Sequence, residues 1–177
     1  IQTNRLSSDV FATFNETDLA ISPDRKTIYF CRDSNYDNQP EKSKLPEKPI
    51  NLFRATINAD FNVTNILPVS FNSETYSIRN PSISKDGKKL FFISNMPGGY
   101  GNYDIYVSNI LENGSLSSPK NLGDNINTFK DDLYPSVDKN NILYFASYGH
   151  NGKGNLDIFK SEFINGTFAL SIAETFG

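Results

Sequence analysis

The chain of 177 residues holds one cysteine, one histidine, one methionine and no long apolar run. A lone cysteine, Cys31, cannot close an internal disulfide, so a small disulfide scaffold is excluded, although the count does not fix a redox compartment. A lone histidine, His150, cannot supply a His-rich metal site. No stretch approaches the roughly 18 apolar residues of a membrane helix, and mean hydropathy is −0.46. Neither sign of charge prevails: 17 Lys and Arg stand against 20 Asp and Glu, for a formal net charge of −3. The basic residues are scattered, with no run longer than Lys88-Lys89, which argues against a nucleic-acid surface. Ile1–Val10 lacks the basic and apolar segments of a targeting signal. With Met96 as the single methionine, the expectation is a processed product or a piece of a longer protein.

Aromatics are what the chain does have, at 13% of residues, too many for a disordered tail. Asn makes up about one residue in eight, well above ordinary usage. Asn, Gly, Asp and Ser favour turns, whereas Phe, Tyr and Ile favour strands. No helical periodicity outlasts a turn or two. The alternation of Leu90, Phe92 and Ser94 with Phe91, Ile93 and Asn95 reads as a strand. Both of its faces are apolar at Phe91 and Phe92, as in sheets packed face to face.

The sequence repeats itself. Ile21–Phe30 aligns with Ile83–Phe92 and with Val137–Phe145, each a short strand, a polar turn and an aromatic strand. Asn51–Ala55, Tyr103–Val107 and Leu156–Lys160 follow in the same order. Phe92 to Phe145 and Asp104 to Asp157 both span 53 positions (145 − 92 and 157 − 104). A Pro- and Lys-rich insertion between Asp37 and Pro49 lengthens the first copy and reads as a surface loop. A period near 50 residues holding several short strands marks a β-propeller blade. The expected fold is all-β, with blades of four antiparallel strands. Blade 1 would cover about 14–70, blade 2 about 71–128 and blade 3 about 129–177. In this register Phe14-Asn15-Glu16, Phe71–Glu74 and Phe129–Asp131 correspond, and Phe176-Gly177 corresponds to Leu122-Gly123. Three blades are too few to close a ring, so the expectation is an incomplete propeller.

Asp86-Gly87 is a hairpin signal, because the turn needs a positive φ that glycine supplies. Asp24-Arg25 and Asn140-Asn141 stand in its place in the other copies. Asp24, Asp86 and Asp138 are expected to bond their own turns. His150, in a turn-rich loop, reads as a loop residue bonding backbone rather than a catalytic base, and no Gly-x-Ser-x-Gly nucleophile elbow occurs. Cys31 reads as a small buried hydrophobe. Gly98–Asp104 and Gly152–Asp157 faintly resemble a calcium-binding Gly-Asp repeat, but too few oxygen ligands are in view. The preferred reading is that the glycines make tight loops and that Asp104 and Asp157 anchor them to a neighbouring turn. No metal and no cofactor are expected. Asp131-Asp132, with counterparts at Glu16 and Glu74, would recur once per blade and so reads as architectural rather than as a glycosidase acid pair.

Ile21-Ser-Pro-Asp24, Pro81–Leu90 and Pro135-Ser-Val-Asp138 resemble the WD40-like repeat of TolB-type propellers. Ser94–Tyr106, Asn121–Thr128 and Ala146–Phe159 are similar to the version found beside OmpA-like peptidoglycan-binding domains in Gram-negative envelope proteins. The first copy departs from that pattern, with no Gly-rich loop and with Asn51 in place of the Asp. The resemblance implies a non-catalytic interaction scaffold in the periplasm, associated with the outer membrane, as in some members of the type IX secretion and gliding apparatus. It implies envelope-protein partners, no nucleic acid, no direct membrane insertion, and peptidoglycan contact only through another domain. The expected partner-binding residues are Tyr100, Tyr148 and His150, on the loops Met96–Tyr103 and Tyr148–Asn155. Two alternatives stay open: a carbohydrate- or peptidoglycan-binding propeller, and the propeller domain of a hydrolase or lyase.

Overall fold

A computed structural model describes residues 16–33, 49–164, 167–169 and 172–173. Phe14, most of the 37–49 insertion and the Phe176-Gly177 match lie outside the described residues. The described chain folds into three antiparallel sheets. The first runs β1 (Glu16–Ile21), β2 (Thr27–Asp33), β3 (Ile50–Ile57) and β4 (Val63–Pro68), in that spatial order. The second runs β5 (Ile78–Ile83), β6 (Lys89–Ser94), β7 (Asp104–Asn109) and β8 (Lys120–Asn121). The third runs β9 (Asp132–Val137), β10 (Ile142–Ser147), β11 (Asp157–Ile164) and β12 (Thr167–Phe168). A further short strand, β13 (Ile172–Ala173), also pairs with β11, so β12 and β13 cover its edge in two pieces.

Strand register makes the three sheets comparable residue by residue. Phe30 pairs with Phe53, Phe92 with Tyr106 and Phe145 with Phe159. One position along, Cys31 pairs with Leu52, Ile93 with Ile105 and Ala146 with Ile158. Because successive side chains point to opposite faces, each sheet carries two apolar faces. Phe92 and Tyr106 join Tyr29, Cys31 and Leu52 in a core between the first and second sheets. Phe91, Ile93 and Ile105 join Phe145 and Phe159 in a core between the second and third. A third cluster, including Ile28, Phe30 and Phe53, occupies the other face of the first sheet. The sheets therefore stack, with the second one buried on both sides.

The hairpins β1–β2, β5–β6 and β9–β10 each place one residue in the left-handed region: Arg25 (φ 60°), Gly87 (φ 71°) and Asn141 (φ 63°). The Asp24 carboxylate accepts the Ser22 hydroxyl at 2.5 Å and the Lys26 amide at 3.0 Å. Asp86 accepts Ser84 at 2.6 Å and Lys88 at 3.0 Å. Those bonds hold both carboxyls below the usual carboxylate range. In the shorter third turn Asp138 accepts the amides of Asn140 and Ile142 at 2.8 and 2.9 Å.

The connectors between sheets require a different alignment from the one the sequence offers. Asn72 brackets the backbone of Leu52, accepting its N–H at 3.0 Å and donating to its carbonyl at 2.8 Å. Asn127 does the same to Ile105, at 2.7 and 2.9 Å. Asn72 and Asn127 are thus equivalent, which matches Phe71 with Ile126 rather than with Phe129. Packing agrees: Phe71 stacks on Phe92 with centroids 5.5 Å apart and Ile126 is fully buried, whereas Phe129 is 75% exposed. Asp132 opens β9 as Ile78 opens β5 and Glu16 opens β1, so Glu74 is not its counterpart. A shared Phe followed by acidic residues produced the false match.

A non-glycine residue in the left-handed region costs about 1–2 kcal/mol, partly offset by the chain entropy that glycine loses on folding. Arg25→Gly should therefore stabilise the fold by up to about 1 kcal/mol, and Gly87→Ala should destabilise it by about 1 kcal/mol. Urea midpoints at unchanged m-value test both, and destabilisation by Arg25→Gly would contradict the turn geometry.

Candidate interaction site at the loop end of the sheets

The antiparallel order sends the β1–β2, β5–β6 and β9–β10 hairpins to one end of the stack. The β6–β7 and β10–β11 loops and the connector from β8 to β9 lie together at the other. The loops there are closed from within. Asp104, 1% exposed, accepts the amides of Tyr100 at 2.6 Å and Gly101 at 3.1 Å, and the Asn121 side chain at 3.1 Å. A Cβ on Gly99 would fall 2.0 Å from that carboxylate, which explains the glycine. Asp157 accepts the Gly154 amide at 2.8 Å, with Gly152 packed on it in the same way. Each Asp thus closes its own loop, where the sequence reading expected an anchor to a neighbouring turn. In the first sheet Asn51 takes the position and accepts the Ser73 amide at 3.2 Å.

The connector 122–131 joins the two Gly-rich loops. Its Asp131 accepts the Tyr103 amide at 3.1 Å, and the Tyr148 amide donates to the Asp131 carbonyl at 3.1 Å. Asp132 donates its amide to the Tyr103 carbonyl at 2.8 Å. A Cβ on Gly101 would lie 1.9 Å from the Lys130 carbonyl oxygen, and one on Gly149 2.0 Å from the Thr128 hydroxyl. These contacts grip the segment on both sides of Phe129 and leave its ring outside. Tyr100 is 53% exposed and Tyr148 40%. Three exposed aromatics therefore stand on backbone pinned at the junction of the second and third sheets.

His150 is placed differently from the two tyrosines. It is half-buried, its Nε2–H donates to the Ile126 carbonyl at 2.8 Å, and its ring lies against Phe145 and Phe159 at 5.7 and 5.0 Å. Asp86 and Gly87 belong to the hairpin end, away from the loops. Phe129 was not a site candidate in the sequence. Its only available signal was that a large aromatic there has no core partner once Asn72 and Asn127 are aligned. Cys31 is fully buried and burial pushes its thiol up, so it is no nucleophile. Among the described residues no group of three or more His, Cys, Asp or Glu could hold a metal ion. No helix of the described residues is long and apolar enough to cross a membrane.

Behind the exposed rings lies a fully buried carboxylate, Asp132. Its Oδ2 accepts the Thr128 amide at 2.5 Å and the Thr128 hydroxyl at 3.1 Å, while Oδ1 has no hydrogen-bond partner. Burial raises its pKa, against the opposing pull of Ser147, Thr128 and His150.

No family model matches the sequence, and none of the curated proteins matches it. Solved structures do match the fold. TolB from Acinetobacter baumannii aligns at TM-score 0.50 and 18% identity, over 89% of this chain and 32% of that one. A putative TolB from Agrobacterium tumefaciens aligns at 0.50 and 14%, over 90% and 64%. Prolyl oligopeptidase B from Galerina marginata aligns at 0.57 and 11%, over 93% and 21%. The chain spans less than two thirds of the length of each. Its sheets have the fold of TolB-like β-propellers, a fold that the prolyl oligopeptidase chain shares.

A carboxyl whose pKa is raised by folding binds its proton more tightly in the folded state. Its contribution to stability is full below the unfolded value of 3.8 and is lost as pH rises through the raised folded value. Asp132→Asn keeps an acceptor for Thr128 and removes the buried charge. The variant should be more stable at pH 7 by on the order of 1 kcal/mol, and should lack the wild type's decline in stability above pH 4. Urea midpoints across pH 4–8 test this, and an unchanged pH profile would contradict it.

Proposed function

We propose that this chain is part of a TolB-type propeller that acts as a non-catalytic protein-interaction scaffold of the bacterial envelope, on the periplasmic side and associated with the outer membrane. Three blades of a larger ring correspond to the three sheets. The observation that carries the reading is the rim of Tyr100, Phe129 and Tyr148. Large aromatics are held exposed by backbone that hydrogen bonds and glycine contacts have already ordered. A partner meeting them need not freeze a loop, and buried aromatics are the usual anchors of an interface. The fold neighbours named TolB and the repeat resemblance support the envelope setting. Assembly within a type IX secretion or gliding apparatus, beside a peptidoglycan-binding domain, is the finer version of the same reading.

A second reading rests on the peptidase neighbour: a propeller domain that regulates access to a hydrolase. It would give the native protein a catalytic domain elsewhere and a peptide-cleaving activity. The rim would then face that domain rather than a separate partner.

A photo-crosslinking residue at position 100 or 129 of the native protein should capture one discrete envelope protein in the source cell. Equivalent residues at the exposed hairpin-end positions Asp60 and Lys139 should not. Tyr100→Ala with Tyr148→Ala should reduce that capture at least about tenfold per residue while the fold persists. Equal capture from positions 60 and 139, or capture indifferent to the double substitution, would sink the assignment.

A further inference from the structure

Asn-Gly pairs occur at Asn113-Gly114, Asn151-Gly152 and Asn165-Gly166. At such a pair an asparagine side chain can react with its own backbone, because glycine has no Cβ to keep the following amide away from the carboxamide carbon. Asn165-Gly166 lies outside the described residues. The other two pairs share one covalent chemistry and differ in what holds them.

Asn113-Gly114 sits in the turn between β7 and β8, gripped at the groups the reaction would use. The Asn113 Oδ1 accepts the Ser115 amide at 2.9 Å and the Ser115 hydroxyl at 2.7 Å. The Gly114 amide donates to the Leu111 carbonyl at 2.8 Å. Arg54 donates to the Asn113 carbonyl at 2.5 Å and the Tyr29 hydroxyl to the Gly114 carbonyl at 3.0 Å, which fixes the turn to the first sheet. Asn151-Gly152 is exposed on the β10–β11 loop. Among the described residues neither the Asn151 carboxamide nor the Gly152 amide makes a hydrogen bond. That loop is held on either side of the pair instead. His150 bonds the Ile126 carbonyl at 2.8 Å, and the Gly154 amide donates to Asp157 at 2.8 Å.

We infer that Asn151-Gly152 is a site of spontaneous deamidation, and that the fold keeps the chemically identical Asn113-Gly114 from reacting. The Gly152 amide nitrogen gives its proton to hydroxide and attacks Cγ of Asn151. The new N–C bond closes a five-membered succinimide, and the carboxamide nitrogen leaves as ammonia after taking a proton from water. Water then opens the ring at either carbonyl, which leaves aspartate or isoaspartate at position 151. Either product adds a negative charge beside His150. The isoaspartyl product also adds a backbone carbon just before Gly152, where a Cβ would already fall 1.9 Å from the Asp157 carboxylate. The inference stands apart from the proposed rim function, since it concerns the chain's own covalent chemistry and needs no partner.

Ageing the native protein at pH 7 to 9, followed by tryptic mapping, tests it. Cleavage at Lys89, Lys120, Lys139 and Lys153 puts positions 113 and 151 on separate peptides. Conversion reads as a gain of about 1 Da, localised by fragmentation. Position 151 should convert at least about tenfold faster than 113, because each hydrogen bond that must break at 113 adds to the barrier. The rate at 151 should rise with pH, since the Gly152 amide must lose its proton. In the urea-unfolded chain the two positions should convert at similar rates. Equal rates in the folded protein, no conversion at 151, or a difference that persists in urea would overturn the inference.

Discussion

A sheet with two apolar faces cannot stand alone in water, and everything else in this molecule follows from that constraint. Phe91 and Phe92 are neighbours on one strand, yet one is buried against the third sheet and the other against the first. Burying a side chain of this size is worth about 1.5–3 kcal/mol, so each added sheet stabilises the one before it. Stacking rather than strand pairing is therefore what links successive repeats. Among the described residues no strand of one sheet pairs with a strand of another.

Stacked sheets still need a fixed offset, and polar side chains in the connectors provide it. Asn72 and Asn127 imitate a peptide group and complete hydrogen bonds at the start of β3 and β7. Asp104 and Asp157 close the loops that precede the strands they begin. Because these groups bond backbone, they hold the chain's path while leaving side chains such as Tyr100, Phe129 and Tyr148 free to face outward. The rigidity of the loop end and its exposed aromatic surface thus have the same cause. Asp132 sits behind these loops, with its Oδ2 held by the amide and hydroxyl of Thr128.

Much of the fold was legible because it is local. Alternation identified the strands, and Asp86-Gly87 identified the hairpin whose third turn residue needs a positive φ. Even the two-faced burial of Phe91 and Phe92 could be read from a single strand. The candidate site was legible only in part. Tyr100 and Tyr148 stood out through their matching Gly-rich loops, but the role of Phe129 depends on Gly101 and Gly149, each more than a strand away in sequence. The clasp of Asn127 on Ile105 spans 22 positions and that of Asn72 on Leu52 spans 20, so no fixed spacing reveals them. For the same reason Phe129 was matched with Phe71, and Asp132 with Glu74. The sequence similarity lay three positions from the structural one at Phe129 (129 − 126) and four at Glu74 (78 − 74).

The central claim is that one end of a stack of like sheets carries a preformed aromatic surface for a protein partner. Electron cryo-microscopy of the native protein bound to that partner tests it most directly. The expected map shows partner density over Tyr100, Phe129 and Tyr148, with the loops in the conformation described here. Density at the hairpin end around Gly87, or loops rebuilt on binding, would contradict the account.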